Sequence, residues 1–352
     1  MPPVSIAVIG AGLIGPRHAQ TVIEDPNAKL AAIVDLTPRG AELAQKLNVP
    51  YYTSIGDLVE SGNGIPEAAI VSTPNHTHVS VCLELIDAGV RHILVEKPIS
   101  TDTAGGTVLL DRAREAGVKL LVGHHRRFNS YIIAAKKVID AGELGDIVAI
   151  NGLWTTYKPP EYFEPPGDWR RDKDGGVILI NMIHEIDLLR DLVGPITRVY
   201  AEKMPSRRGF EAEEGAAITF RFRSGAVGSF LLSDHVPSPH NFEAGTGENP
   251  GIPRIGKDFY RIFGTEGMLS VPDMTVWRYE EGKKSWSDEM STGVVPVVVE
   301  VPFRAQLRHF IQVVRGEAEP KCRGEDGMAA LAVCEALRRS LESEMPVSVE
   351  QD

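Results

Sequence analysis

Four groups of residues in this chain have types and spacings that could do chemistry. The first is Gly10-Ala11-Gly12-Leu13-Ile14-Gly15, which follows an apolar β-type run and opens a helical pattern. Glycines so spaced permit a tight turn, close backbone approach to a pyrophosphate and close helix–strand packing, and the free N–H groups of the helix start attract phosphate. Asp35 closes the second apolar run, 20 residues beyond Gly15. A carboxylate there accepts from the ribose 2′-hydroxyl of NAD and repels the 2′-phosphate of NADP. Gly10, Gly12, Leu13, Ile14, Gly15 and Asp35 therefore read as a dinucleotide site that prefers NAD, a preference softened by nearby Arg39.

The second group, Ser72-Thr73-Pro74-Asn75 with His76 and His78, ends another apolar run. Polar groups at a strand's carboxyl end face the ligand crevice of a doubly wound sheet. On residue type alone, a helix start capped by Asn75 explains the segment equally well. The third group is Val95-Glu96-Lys97-Pro98. A lysine after an apolar strand is as a rule solvated surface. One held by Glu96 in a dry crevice donates to a substrate oxygen and stabilises charge there. In the fourth group Asn181, His184 and Asp187 stand three apart on one face of an apolar helix over 178–192. Polar side chains in such a helix must find partners or line a cavity. A satisfied core histidine is one reading, and a base that takes the proton of an alcohol is the other.

Chemistry of this kind needs rigid elements beneath it. Residues 1–122 alternate strand patterns (5–9, 30–34, 68–72, 93–95, 119–122) with helical ones (17–24, 38–47, 78–88, 103–116). That alternation predicts a parallel, doubly wound α/β sheet. After Gly123 the strands at 147–154, 197–202, 216–223, 227–233, 260–263, 268–271 and 276–279 follow one another with few helices between. Turn-rich Arg223-Ser224-Gly225 and Glu281-Gly282 suggest hairpins, so a second α+β domain on a mostly antiparallel sheet is expected, with helices at 131–141, 178–192, 303–314 and 326–342. Two Pro-rich, aromatic loops, 157–169 and 236–253, stand out as lids or binding loops.

A chain of 352 residues is too long for one ordinary core. Its formal net charge of −11, with no basic stripe, argues against nucleic acid as a partner. No apolar stretch approaches the ~20 residues of a spanning helix, and no targeting segment is read at the start. Cys82, Cys322 and Cys334 are too scattered for a disulfide framework or a zinc cluster, so no metal is expected and a reducing cytoplasm is.

With these residues placed, the chain resembles the glucose–fructose oxidoreductase, inositol dehydrogenase and MocA family over essentially its full length. Gly10–Gly15 resembles the family's nucleotide turn, Ser72–His78 its nicotinamide-side loop and Glu96-Lys97-Pro98 its most telling motif. Gly123-His124-His125-Arg126-Arg127-Phe128 resembles the opening of the family's substrate domain, and Gly175-Gly176 through His184-Glu185-Ile186-Asp187 its catalytic helix. The resemblance implies a Rossmann domain over 1–122 and a substrate and oligomerisation domain over 123–352, whose open sheet joins a homodimer or homotetramer. It implies NAD-dependent hydride transfer at a hydroxyl or carbonyl carbon of a sugar, cyclitol or related polyol. Lys97 and His184 are then catalytic: His184 takes the hydroxyl proton and Lys97 steadies the same oxygen. Ser72, Thr73, Pro74, Asn75, His78 and Glu96 join the cofactor contacts, and His125, Arg127, Trp169, Arg170, Asn181 and Asp187 the substrate contacts. Many members carry an aspartate four residues before the histidine, where this chain has Ile180, and Asn181 follows it. An amide cannot carry negative charge, so a three-residue relay is in question. A glycosidase that oxidises transiently and a non-catalytic NAD-binding sensor are the alternatives.

Overall fold

A computed structural model describes residues 1–349. The first 125 residues alternate strand and helix: β1 (Val4–Ile9), α1 (Gly15–Glu24), β2 (Ala28–Val34), α2 (Pro38–Leu47), β3 (Tyr51–Tyr52), α3 (Ile55–Glu60), β4 (Ala68–Val71), α4 (His78–Asp87), β5 (His92–Val95), α5 (Thr103–Glu115) and β6 (Lys119–Val122). The strands form one sheet in the order β3-β2-β1-β4-β5-β6, parallel at every pairing. Val, Ile and Ala fill the central strands, and β4 is buried at all positions because helices cover both faces. Ser54 and Asp102 cap α3 and α5 with their side chains. Gly89 and Gly117, both at positive φ, follow the ends of α4 and α5, where a side chain would be strained.

The second unit contains α6 (Ser130–Asp140), β7 (Ile147–Thr155), a π-turn at Ile178–Met182 running into α7 (Ile183–Val193), β8 (Ile196–Lys203), β9 (Gly215–Phe222), β10 (Val227–Ser233), α8 (Phe242–Thr246), β11 (Tyr260–Gly264), β12 (Met268–Val271), β13 (Thr275–Arg278) and β14 (Ser291–Val294). With β15 (Val347–Ser348) these strands form a nine-stranded sheet, β14-β13-β12-β11-β7-β10-β9-β8-β15, antiparallel except for β7 beside β10. Alternate residues separate its faces. Ile218, Phe220, Phe222, Phe230 and Leu232 are buried, whereas Val227 and Leu231 lie on the open face.

The division of the chain differs from expectation. Residues 1–125 and 301–331 make one compact unit; 126–300 and 332–349 make the other. Thus α9 (Pro302–Val314) and the start of α10 (Gly324–Ser343), expected in the second domain, belong to the first unit. The cause is apolar: Leu307, Phe310, Ile311 and Val313 of α9 share one core cluster with Val4, Ile6, Val8, Ile33, Ile70 and Leu94. Helical spacing identified α9 but carried no information on which core it would join.

Candidate functional site

In the first unit the strand register sets five residues in a row. Ile9 pairs with Val34 and Val71, Val71 with Val95, and Val95 with Val122. The residues that follow, Gly10, Asp35, Ser72, Glu96 and Gly123, therefore all leave the sheet at one level, at the carboxyl ends where a doubly wound sheet binds ligand. Gly10 has φ +99°, and a Cβ there would sit 2.7 Å from the Ser72 backbone. A Cβ on Gly15 would fall 2.0 Å from the Gly10 carbonyl oxygen, so helix and turn touch backbone to backbone. A Cβ on Gly12 would meet nothing within 4 Å, which leaves open space above the turn. No side chain among the described residues caps the start of α1 at Ile14. The Asp35 carboxylate accepts from the Ala11 N–H at 2.6 Å and the Thr37 N–H at 2.7 Å, so it is fixed beside the turn. Leu13, 89% exposed, flanks the same opening. These residues fit a dinucleotide: glycine backbone and free helix N–H groups for the pyrophosphate, Asp35 for the ribose.

The Glu96–Lys97 corner is built from behind. Glu96 is buried, accepts from the His18 Nε2–H of α1 at 2.8 Å and from the Lys97 N–H at 3.2 Å, and fits only because position 123 is glycine, where a Cβ would lie 2.9 Å from its carboxyl carbon. Burial works to raise the Glu96 carboxyl, but the His18 hydrogen bond and the charges of His18, His125 and Lys97 outweigh it and hold it at about 2. Glu96 is thus an ionised anchor for the loop bearing Lys97, which is itself half-buried. Phe303 of α9 stacks against both the His18 and His125 rings.

Of the nicotinamide-side loop, Pro74 and Asn75 are exposed and Thr73 is half-buried. Ser72 and His78 face inward. The Ser72 hydroxyl reaches the Ile9 and Gly10 carbonyls, and the two His78 ring nitrogens face the Thr73 and Pro98 carbonyls at 2.9 and 2.7 Å. Burial pulls the His78 pKa down, against those two bonds. Both residues tie loops together, a role that polar residue type does not reveal.

In the second unit the helix expected over 178–192 is in two parts. Its first turn, Ile178–Met182, is a π-turn, closed by the Ile183 N–H on the Ile178 carbonyl. The Ile178 N–H is capped by the Glu213 carboxylate at 2.8 Å. A Cβ at Gly176 would overlap that carboxylate at 2.0 Å and displace it, and glycine is required at 175 because a Cβ there would lie 2.4 Å from the Arg170 Cα. His184 is 6% exposed. Its neighbours fix the roll of the helix. Asp187 accepts from Arg127 through both oxygens, at 2.7 and 2.9 Å. Glu185 accepts from Arg126 and from the Tyr260 hydroxyl of β11. At about 100° per residue, these two ion pairs flank His184 on either side of the helix.

Arg127 and Asp187, expected among the substrate contacts, are instead buried and hold each other. Arg126 meets three carboxylates, Glu185, Glu243 and Glu248. Burial, with Glu243 and Glu248 close by, pushes Glu185 up to about 7, although Arg126 and Tyr260 oppose the rise.

Sequence reasoning missed Lys158, whose side chain is 10% exposed and which donates to the Asn181 Oδ1 at 2.7 Å and pairs with Asp234 at 3.2 Å. The Pro-rich loop it lies in was the available signal. Trp169, 46% exposed, ends the same loop, and Arg170, half-buried with its guanidinium over the Tyr162 and Trp169 rings, follows it directly. His125 lies in the first unit, half-buried beside Phe303. Among the described residues no group of side chains could hold a metal ion, and no helix is long and apolar enough to cross a membrane. All three cysteines are buried.

Residues 4–124 match the NAD-binding Rossmann-fold model of the GFO/IDH/MocA oxidoreductase family, and residues 136–349 match that family's C-terminal alpha/beta domain. Similar proteins include the scyllo-inositol 2-dehydrogenase (NAD(+)) of Bacillus subtilis, 27% identical over 357 residues that span 99% of this chain and 96% of the relative. The myo-inositol 2-dehydrogenase of Thermotoga maritima is 28% identical over 359 residues, 98% of each. Among solved structures, the WlbA dehydrogenase of Bordetella pertussis, in complex with NADH and UDP-GlcNAcA, superposes with a TM-score of 0.78 at 25% identity, covering 99% of this chain and 100% of the other.

Proposed function

Since the chain belongs to the GFO/IDH/MocA oxidoreductase family and carries its NAD-binding Rossmann domain, we propose that it oxidises a hydroxyl, or reduces the matching carbonyl, of a sugar, cyclitol or related polyol. The observation that carries this is the level row at the sheet's carboxyl ends, where the open glycine turn, Asp35 and the Glu96-anchored Lys97 leave the strands together. Bound NAD supplies the hydride acceptor. Asp35 sets the ribose, and the α1 N-terminus with Gly12 receives the pyrophosphate. Lys97 donates a hydrogen bond to the substrate oxygen and stabilises charge there. His184, on a helix whose roll is fixed by two buried ion pairs, accepts the hydroxyl proton. Trp169 offers an exposed aromatic face to the C–H side of a ring.

Inositol dehydrogenases among the relatives support the polyol class. The open face of the nine-stranded sheet, with Val227 and Leu231 exposed, supports assembly as a homodimer or homotetramer, and buried thiols support a cytoplasmic setting. Following NADH formation at 340 nm over a panel of polyols, aldoses and inositols tests the activity. A panel that yields no NADH, with NAD retained through purification, contradicts it.

A further inference from the structure

Three cations of the second unit gather around two neighbouring rings and two carboxylates. The Lys158 ammonium lies 4.8 Å from the Tyr162 ring centroid, and the Arg170 guanidinium 4.3 Å from the same centroid. Arg208 packs on the neighbouring Phe163. Lys158 and Arg208 share Asp234, at 3.2 and 2.7 Å, and Glu214, whose carboxylate accepts from the Arg208 backbone N–H, lies within reach of the Arg208 charge. Arg170 pairs with no carboxylate among the described residues: its Nη1 reaches the Tyr162 carbonyl at 3.4 Å, and its Nε is buried without a hydrogen bond. Asp234 and Glu214 therefore balance Lys158 and Arg208, and the charge of Arg170 is left over. Two cations against one ring repel each other, and an anion beside both relieves that.

Asn181 adds a donor. A side-chain amide can face either way, but lysine only donates, so the atom 2.7 Å from Lys158 Nζ must be the oxygen. The NH2 group points away from Lys158, and Asn181 precedes His184 by one turn. Where an aspartate would accept from a hydroxyl, this position offers an N–H.

We propose that Lys158, Arg170 and the Asn181 amide form an anion subsite for a carboxylate of the substrate, so that the polyol handled at His184 is a sugar acid. This rests on the oxidoreductase reading and narrows it. The groups are donors throughout, which suits an oxygen that only accepts, and one leftover positive charge matches a carboxylate better than a phosphate monoester of nearly two charges.

The test compares kcat/KM for NADH formation within matched pairs, D-glucuronate against D-glucose and D-galacturonate against D-galactose, with myo-inositol and D-glucose 6-phosphate as further arms. Thermal shift in the presence of NADH reports binding without turnover. The acids are expected to exceed their neutral partners by roughly 10- to 100-fold. Asn181→Asp, which keeps an acceptor for Lys158 but replaces the N–H by a negative charge, and Arg170→Leu each collapse that ratio; Lys158→Arg keeps part of it. A ratio of two substrates in one sample is independent of the fraction folded, so a poorly folding variant still reports. Neutral compounds used as well as or better than the acids, glucose 6-phosphate preferred to both, or a ratio unmoved in Asn181→Asp and Arg170→Leu would each overturn the subsite. Thermal stabilisation of the wild type by acids, lost in both variants, with no NADH from any compound, upholds the subsite and overturns the oxidation reading.

Discussion

Replacing His18 by leucine removes the donor that keeps Glu96 ionised inside the first unit. The Glu96 carboxyl sits at about 2 against an ordinary 4.5, although burial alone works to raise it. At roughly 1.4 kcal/mol per unit, that distance corresponds to about 3 kcal/mol of folded-state stability. The two side chains are 4% and 10% exposed, so solvent screening removes little of it. A depressed carboxyl contributes fully above its unfolded value near 4.5, and the contribution is lost as pH falls through about 2. In His18→Leu, burial is opposed by fewer partners and drives the carboxyl upward. A raised carboxyl costs stability at neutral pH and is relieved by protonation as pH falls. Thermal unfolding should therefore show a loss of roughly 5–10 °C at pH 7 and a smaller one at pH 5. His18→Gln, which keeps a donor, should lie between leucine and the wild type. A loss under about 2 °C at pH 7, or an equal loss at both pH values, refutes the reasoning.

Asp35→Ser should narrow the preference for NAD over NADP by about tenfold, because the charge that repels a 2′-phosphate is gone; fluorescence titration of both cofactors decides, and a wild type that prefers NADP contradicts the assignment. Lys97→Met should leave NAD affinity within a few-fold and lower kcat by roughly 100- to 1,000-fold, while His184→Asn should suppress oxidation and flatten the rising limb of kcat/KM with pH; full activity in either variant removes that residue from the mechanism. Gly176→Ala should lower the denaturant midpoint by the equivalent of about 1–3 kcal/mol, since its Cβ displaces the Glu213 cap from the Ile178 N–H; an unchanged midpoint shows that the cap carries no weight.

The residues that line ligand-facing backbone were legible in the sequence because backbone geometry restricts residue type. Gly10, Gly12, Gly15 and Gly123 stand where a side chain would collide or obstruct, and short apolar runs between helices announced the parallel sheet. Partnership was not legible. Arg127 and Asp187 looked like substrate contacts because charge in an apolar segment signals either a site or a buried pair, and only the contact between residues 60 positions apart separates the two. His18, Glu213 and Lys158 escaped for the same reason: each acts through a residue distant in sequence. The two-residue strands β3 and β15 lack enough length for an alternating pattern, and the π-turn leaves no periodicity distinct from that of the helix it begins. The hydrogen bond from Lys158 to Asn181, 23 positions apart, leaves no trace in local spacing either.

The return of residues 301–331 to the first unit sets a timetable for synthesis. A ribosome that has released residues 1–125 has delivered all six strands of the parallel sheet but not α9, whose Leu307, Phe310 and Ile311 complete one of its two cores. Until then the patch around Val4, Ile6 and Ile33 stays open to water, and Phe303 is missing from the pocket of His18. The later-encoded nine-stranded sheet is almost wholly translated before the earlier-encoded one can close. A nascent chain stalled near residue 300 therefore presents an apolar face that holdase chaperones recognise, and release of the next 31 residues withdraws it.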